Sequence, residues 1–176
     1  MKDGFKAKRI FIRILMVIFL VSFCDFAFAT EEIYGFKSLN ATEELYQFMD
    51  LRGQLKGNIR DQQRMNINFA IGEFYFKANT LYDAKDAFRG LAIQNSAEIT
   101  TLLANVFLYK IAKMTGQLEE QEALKKKIFK NQFVLLFDEY KILNYQSLYK
   151  NEYEIHYYAD KIVVNLNGKL FEQIEP

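Results

Sequence analysis

Apolar and small side chains between Asn68 and Leu91 recur at helical spacing. Ile71, Gly72 and Tyr75 fall on one stripe, and Leu81, Ala84, Phe88 and Leu91 on a second. Asn79 and Thr80 divide the two, and asparagine tolerates the left-handed backbone that ends a helix. The pattern predicts an antiparallel helix pair, with helices over about 58–78 and 81–93. Gly72 and Ala84 allow the axes to approach closely, and Phe88 fills the space beside them.

The same rhythm extends in both directions. Asn40, followed three residues later by Glu43, is a capping-box start, and the helix after it places Leu45, Phe48, Met49 and Arg52 on one face. Gly53 and Gly57 end it. Asn95 and Glu98 repeat the capping spacing ahead of Ile99, Leu102, Leu103, Val106 and Tyr109. Gly116 closes that helix, and a partner runs from Gln117 to about Phe129 with Leu118, Leu124, Ile128 and Phe129 inward. Phe133, Leu136, Phe137, Tyr140, Leu143 and Leu148 keep helical spacing, so 132–149 reads as a further helix, with a strand as the alternative for the run Phe133–Phe137.

The period then changes. Residues 153–158, 161–166 and 169–174 are rich in β-branched and aromatic side chains, and Asn167-Gly168 is a strong signal for a type I′ turn. A C-terminal β-hairpin or three-stranded meander is expected over 151–176, resting on the helices because so small a sheet is not stable alone.

The segment 68–91 resembles a tetratricopeptide repeat. Ile71-Gly72 take the large-small pair of the first helix and Tyr75 its aromatic. Asn79 stands at the turn glycine, Leu81 at the second-helix aromatic, Ala84 at the alanine, Phe88 at the next aromatic and Leu91 at the last small position. Asn79, Leu81 and Leu91 depart mildly, and Ser96 stands where the closing proline is usual. Leu81 to Leu118 is 37 residues, near one solenoid period, but Tyr109 and Gln121 make the second copy degenerate. The resemblance implies a mainly α fold, an α-solenoid fragment of antiparallel hairpins over 30–150.

It also implies a concave groove lined by the first helix of each pair. Carried over position by position, that groove holds Asn66, Phe69, Glu73, Phe76 and Lys77 from the well-matched repeat. Leu103, Val106, Lys110, Lys113 and Met114 join them from the degenerate one. Such a mixture of aromatics, charges and an amide suits a protein or peptide partner. The alternative is that Phe69 and Phe76 are core, covered by the helix that begins at Asn40. The tyrosines at 145, 149, 153, 157 and 158 form a second aromatic concentration, and strand 169–174 offers an edge to a partner strand.

Residues 1–29 change the reading of compartment. Lys2, Lys6, Lys8, Arg9 and Arg13 precede an eleven-residue run without a charge, Ile14 to Cys24, which is short for a bilayer span. Ala27-Phe28-Ala29 then supplies a small-x-small cleavage pattern. The expectation is a signal peptide with Thr30 first in an exported, periplasmic or extracellular protein. The alternative is an uncleaved inner-membrane anchor at residues 14–24. Phe23 before Cys24 argues against a lipoprotein signal.

Removing that segment leaves 18 basic and 20 acidic residues, a net −2 with His156 neutral. No basic excess is available for phosphates, which argues against nucleic-acid binding. The single cysteine, Cys24, leaves with the leader, so the domain depends on its core. Catalytic signals are sparse. His156 is the one histidine, among strand tyrosines. Glu119, Glu120 and Glu122 suit the first turn of a helix, with Lys125 to Lys127 in reach as ion-pair partners, and no glycine-rich phosphate loop exists. The sequence reads as a non-catalytic binding scaffold or adaptor, tied by fold analogy to cell-envelope assembly or secretion. It implies no cofactor and no metal. A membrane-tethered structural protein is the second reading, and an envelope hydrolase using His156 or a carboxylate pair the third.

Overall fold

A computed structural model describes residues 34–37, 40–93, 98–129, 141–158 and 160–176. The leader, the Asn95 cap, residues 132–140 of the expected sixth helix and Ala159 lie outside the described residues. Among the described residues five helices come first: α1 (Ala41–Gln54), α2 (Asp61–Lys77), α3 (Leu81–Ala92), α4 (Ile99–Met114) and α5 (Leu118–Phe129). Four strands follow: β1 (Lys141–Gln146), β2 (Glu152–Tyr157), β3 (Ile162–Leu166) and β4 (Lys169–Ile174). They form one open antiparallel sheet in the order β1-β2-β3-β4.

Local signals account for three of the helix ends. The Asn40 side chain accepts from the Thr42 amide at 3.0 Å, leaving α1 capped. Asn79 has φ +56° between α2 and α3, and Gly116 has φ +68° between α4 and α5. Each stands just past a helix, where a left-handed residue turns the chain.

Each helix packs on the next in sequence, and α2 also touches α4. In the α2–α3 pair Gly72 faces the Phe88 ring so closely that a Cβ there would lie 2.7 Å from it. Ala84, Phe88 and Leu91 of α3 are buried, as their spacing predicts. In α5, Leu124 and Ile128 are buried and Phe129 packs against the core, but Leu118 is exposed at the helix start. The buried face of α1 is Glu44, Phe48 and Leu51. Leu45 and Met49, expected on the inner face with Phe48, point outward. The correction follows from Phe48, which stacks on Phe74 of α2 at 4.2 Å between centroids and so fixes the rotation of α1.

The expected helix over 132–149 is corrected where it is described. Residues 141–146 are strand β1, paired in register with β2 from Lys141 opposite Tyr157 to Gln146 opposite Glu152. The sheet therefore begins before residue 151 and has four strands rather than two or three. Leu143 and Tyr145 pack against the core while Ile142, Asn144 and Gln146 are exposed, an alternation of period two. Tyr153, Ile155, Tyr157, Ile162, Val164 and Leu166 continue the inner face. Asn167 and Gly168, at φ +50° and +78°, make the predicted turn between β3 and β4.

Candidate functional site

The groove positions do assemble on one side of the helices, and the chain's own sheet covers them. Phe69 is fully buried, with Tyr145 of β1 at 5.4 Å and Tyr153 of β2 at 5.6 Å between ring centroids, both edge-on. Phe76 meets Phe107 of α4 at 5.1 Å and Phe171 of β4 at 6.0 Å. Leu103 and Val106 are buried in the same core. Tyr34 and Phe36 close the far end, each within 6.1 Å of the Phe76 ring. The two hairpins bring their first helices side by side, and the resulting aromatic face is too apolar to stay in water.

The lysines among the groove positions find their partners within the chain. Lys110 donates to the Phe171 carbonyl at 2.6 Å and to Glu172 Oε2 at 3.0 Å, and Lys113 reaches Glu172 Oε1 at 2.8 Å. Two cations from α4 thus clamp one buried carboxylate of β4, and the Glu172 hydrogen bond holds the Lys113 ammonium above its ordinary pKa. Met114, part exposed, accepts from the Tyr34 hydroxyl at 3.5 Å. Lys77 Nζ lies 3.0 Å from Glu44 Oε2 of α1 and donates to the Lys37 carbonyl. Glu73 is buried beneath the β1–β2 turn, accepting from Asn151 and Tyr153. As an open groove the set is corrected: the sheet occupies the place expected for a partner. Of the alternatives weighed on the sequence, Phe69 and Phe76 as core is the one observed, with the sheet rather than α1 as their main cover.

Asn66 stands at an open edge, where its side-chain oxygen accepts from the Tyr145 hydroxyl at 3.4 Å. It lines a cleft of about 510 Å³ between α1, the start of α2 and Leu148 of the β1–β2 turn. Gln47, Asp50 and Gln54 project into it from one side of α1, and Gln62 and Gln63 from α2. Gln47 donates to the Leu148 carbonyl at 2.9 Å, joining α1 to the turn. Beside this cleft, the outward side of α1 carries Leu45, Tyr46 and Met49 at 50, 70 and 61 % exposure. Sequence reasoning placed two of these, Leu45 and Met49, on one face with Phe48 and Arg52. The signal it passed over was Glu44, Phe48 and Leu51, spaced by four and three.

His156, on the outer side of the sheet, lies 2.9 Å from Glu154 and stacks on Tyr158. Of the five tyrosines in the second aromatic concentration, 149, 153 and 157 are buried, 145 is part buried and 158 is exposed. Strand β4 is an edge of the sheet, as is β1. Among the described residues no three His, Cys, Asp or Glu side chains are placed to hold a metal ion, and no helix is long and apolar enough to cross a membrane. No protein-family model, no characterised protein and no solved structure matches this chain.

Proposed function

We propose that this chain is an exported, non-catalytic protein-binding module, two tetratricopeptide-like hairpins closed by a sheet, that docks its partner on the outer side of α1. One observation carries the reading. Leu45, Tyr46 and Met49 form a contiguous apolar surface in water, while the concave face is already occupied. Aromatic and methionine side chains are enriched at protein interfaces, and an exposed apolar cluster rimmed by polar groups is a usual contact site. The neighbouring cleft supplies that rim through Gln47, Asp50 and Gln54.

Support for the hairpin type comes from the close Gly72–Phe88 contact and the left-handed Asn79. Support for export comes from the charge, apolar run and Ala27-Phe28-Ala29 of the leader. The test is a crosslinking pull-down from envelope extract with wild type and a Tyr46→Ala, Met49→Ala double variant. Both side chains are largely exposed, so folding should be unaffected. Loss of one specific partner supports the reading; a partner set identical to wild type rejects the α1 surface. N-terminal sequencing of the exported protein should begin at Thr30, and a retained Met1 would reject export by cleavage.

A further inference from the structure

We propose that Glu73 makes the joint between α2 and the sheet sensitive to pH, locked when its carboxyl is protonated and loosened when it is ionised. Glu73 sits in the second half of α2 and is 1 % exposed. The Asn151 amide donates to its Oε1 at 2.8 Å and the Tyr153 hydroxyl at 2.6 Å. Both donors use the same oxygen. Oε2 is buried with no hydrogen-bond partner. A buried carboxylate needs donors on both oxygens or a cation, and otherwise takes up a proton.

Among the described residues no cation offsets its charge. The groups facing Glu73 are Glu44 from α1, Tyr145 from β1, Ser147 and Tyr149 from the β1–β2 turn, and Tyr153 from β2. Lys77, four residues on along α2, is engaged by Glu44 and the Lys37 carbonyl. Burial pushes the Glu73 carboxyl up to about 7. Hydrogen bonds from Tyr153 and Asn151 offset part of the rise, as does the nearby Ser147 hydroxyl, and the Glu44 charge adds to it.

The joint reaches beyond one contact through Asn151. Its side-chain oxygen accepts from the Lys37 amide and from the Asn167 side chain, each at 2.9 Å. Asn167 in turn donates to the Gly35 carbonyl at 2.8 Å and accepts from the Glu152 amide at 2.9 Å. One carboxyl on α2 therefore shares a hydrogen-bonded chain with the β1–β2 turn, the β3–β4 turn and the segment 34–37. The sign is set by the raised value. The folded state binds the proton more tightly than an open state in which Glu73 meets water, so raising the pH favours opening.

Hydrogen exchange on the purified chain tests this, with intrinsic amide rates corrected for pH. From pH 5 to pH 8 the opening constant of the β2 amides should rise on the order of a hundredfold, and in Glu73→Gln it should not change. Equal protection at both pH values in wild type would overturn the proposal. So would a dependence that survives in Glu73→Gln. If the variant fails to fold, a carbon-13 titration of the wild-type Glu73 carboxyl decides. A midpoint near 7 supports the joint, and a midpoint in the ordinary glutamate range rejects it.

Discussion

At the residue scale, two glycines in neighbouring helices behave in opposite ways for stated reasons. Gly72 faces Phe88, and Phe88 is itself stacked on Phe107 at 4.5 Å, so the ring has nowhere to retreat. Gly72→Ala should cost about 1–3 kcal/mol in urea unfolding, overpacking outweighing the gain in helix propensity. A Cβ added at Gly90 would meet nothing within 4 Å beyond its own helix, so only propensity changes and Gly90→Ala should stabilise by about 0.5–1 kcal/mol in the same measurement. A reversed order of the two variants would refute the packing account. Glu73 adds a pH prediction at this scale. Its carboxyl is raised from 4.5 to about 7, so its contribution is complete below pH 4.5 and is lost as the pH rises through 7. Wild-type stability should fall between those values by up to about 3 kcal/mol, and Glu73→Gln should flatten the curve. Single positions were the most legible part of the sequence. Asn40, Asn79, Gly116 and Asn167-Gly168 act through the backbone next to them, so a short window contains their whole cause. The burden on Glu73 was not legible, since Asn151 and Tyr153 lie 78 and 80 residues away.

At the element scale, α1 is fastened to α2 by a buried ion pair and an aromatic stack. Glu44 and Lys77 side chains are 11 and 7 % exposed, and Phe48 lies on Phe74. Lys77→Met alone strands a buried carboxylate and should destabilise by about 3–5 kcal/mol, whereas adding Glu44→Leu should restore most of the loss. A double-mutant cycle by chemical denaturation checks this; additive costs would show that the pair is not coupled. The same elements show why periodicity misled. Leu143 and Leu148 fit a helical rhythm carried on from Phe133, yet Leu143 and Tyr145 also fit the period of a strand. Pairing with β2 decided between the two, and six consecutive residue pairs outweigh a weak local preference. The inner face of α1 was misjudged for a related reason. Leu45 and Met49 satisfy the pattern, but Phe48 found its stacking partner in a helix that no local window includes.

At the scale of the whole molecule, two layers complete each other. The hairpins present Phe69, Phe76 and Phe107 on one side, and the sheet returns Tyr145, Tyr153 and Phe171. Neither layer is self-sufficient. A chain shortened at residue 140 should lose its monomer peak in size-exclusion chromatography and bind a hydrophobic dye. A dye-silent monomer with native helical circular dichroism would refute this. The helix pairs could be read from spacing, and the sheet from residue type and one turn. That the second would lie in the groove of the first could not, because docking depends on surfaces assembled from distant segments.

The order of layers along the chain has a consequence for biogenesis. Helices form from contacts close in sequence, and the five described ones precede every strand, but their aromatic face is sealed only when β4 arrives. Through that interval the nascent polypeptide carries a sticky, unsealed half-fold. The export proposed above would gain from this delay, because a chain that cannot finish folding early remains threadable.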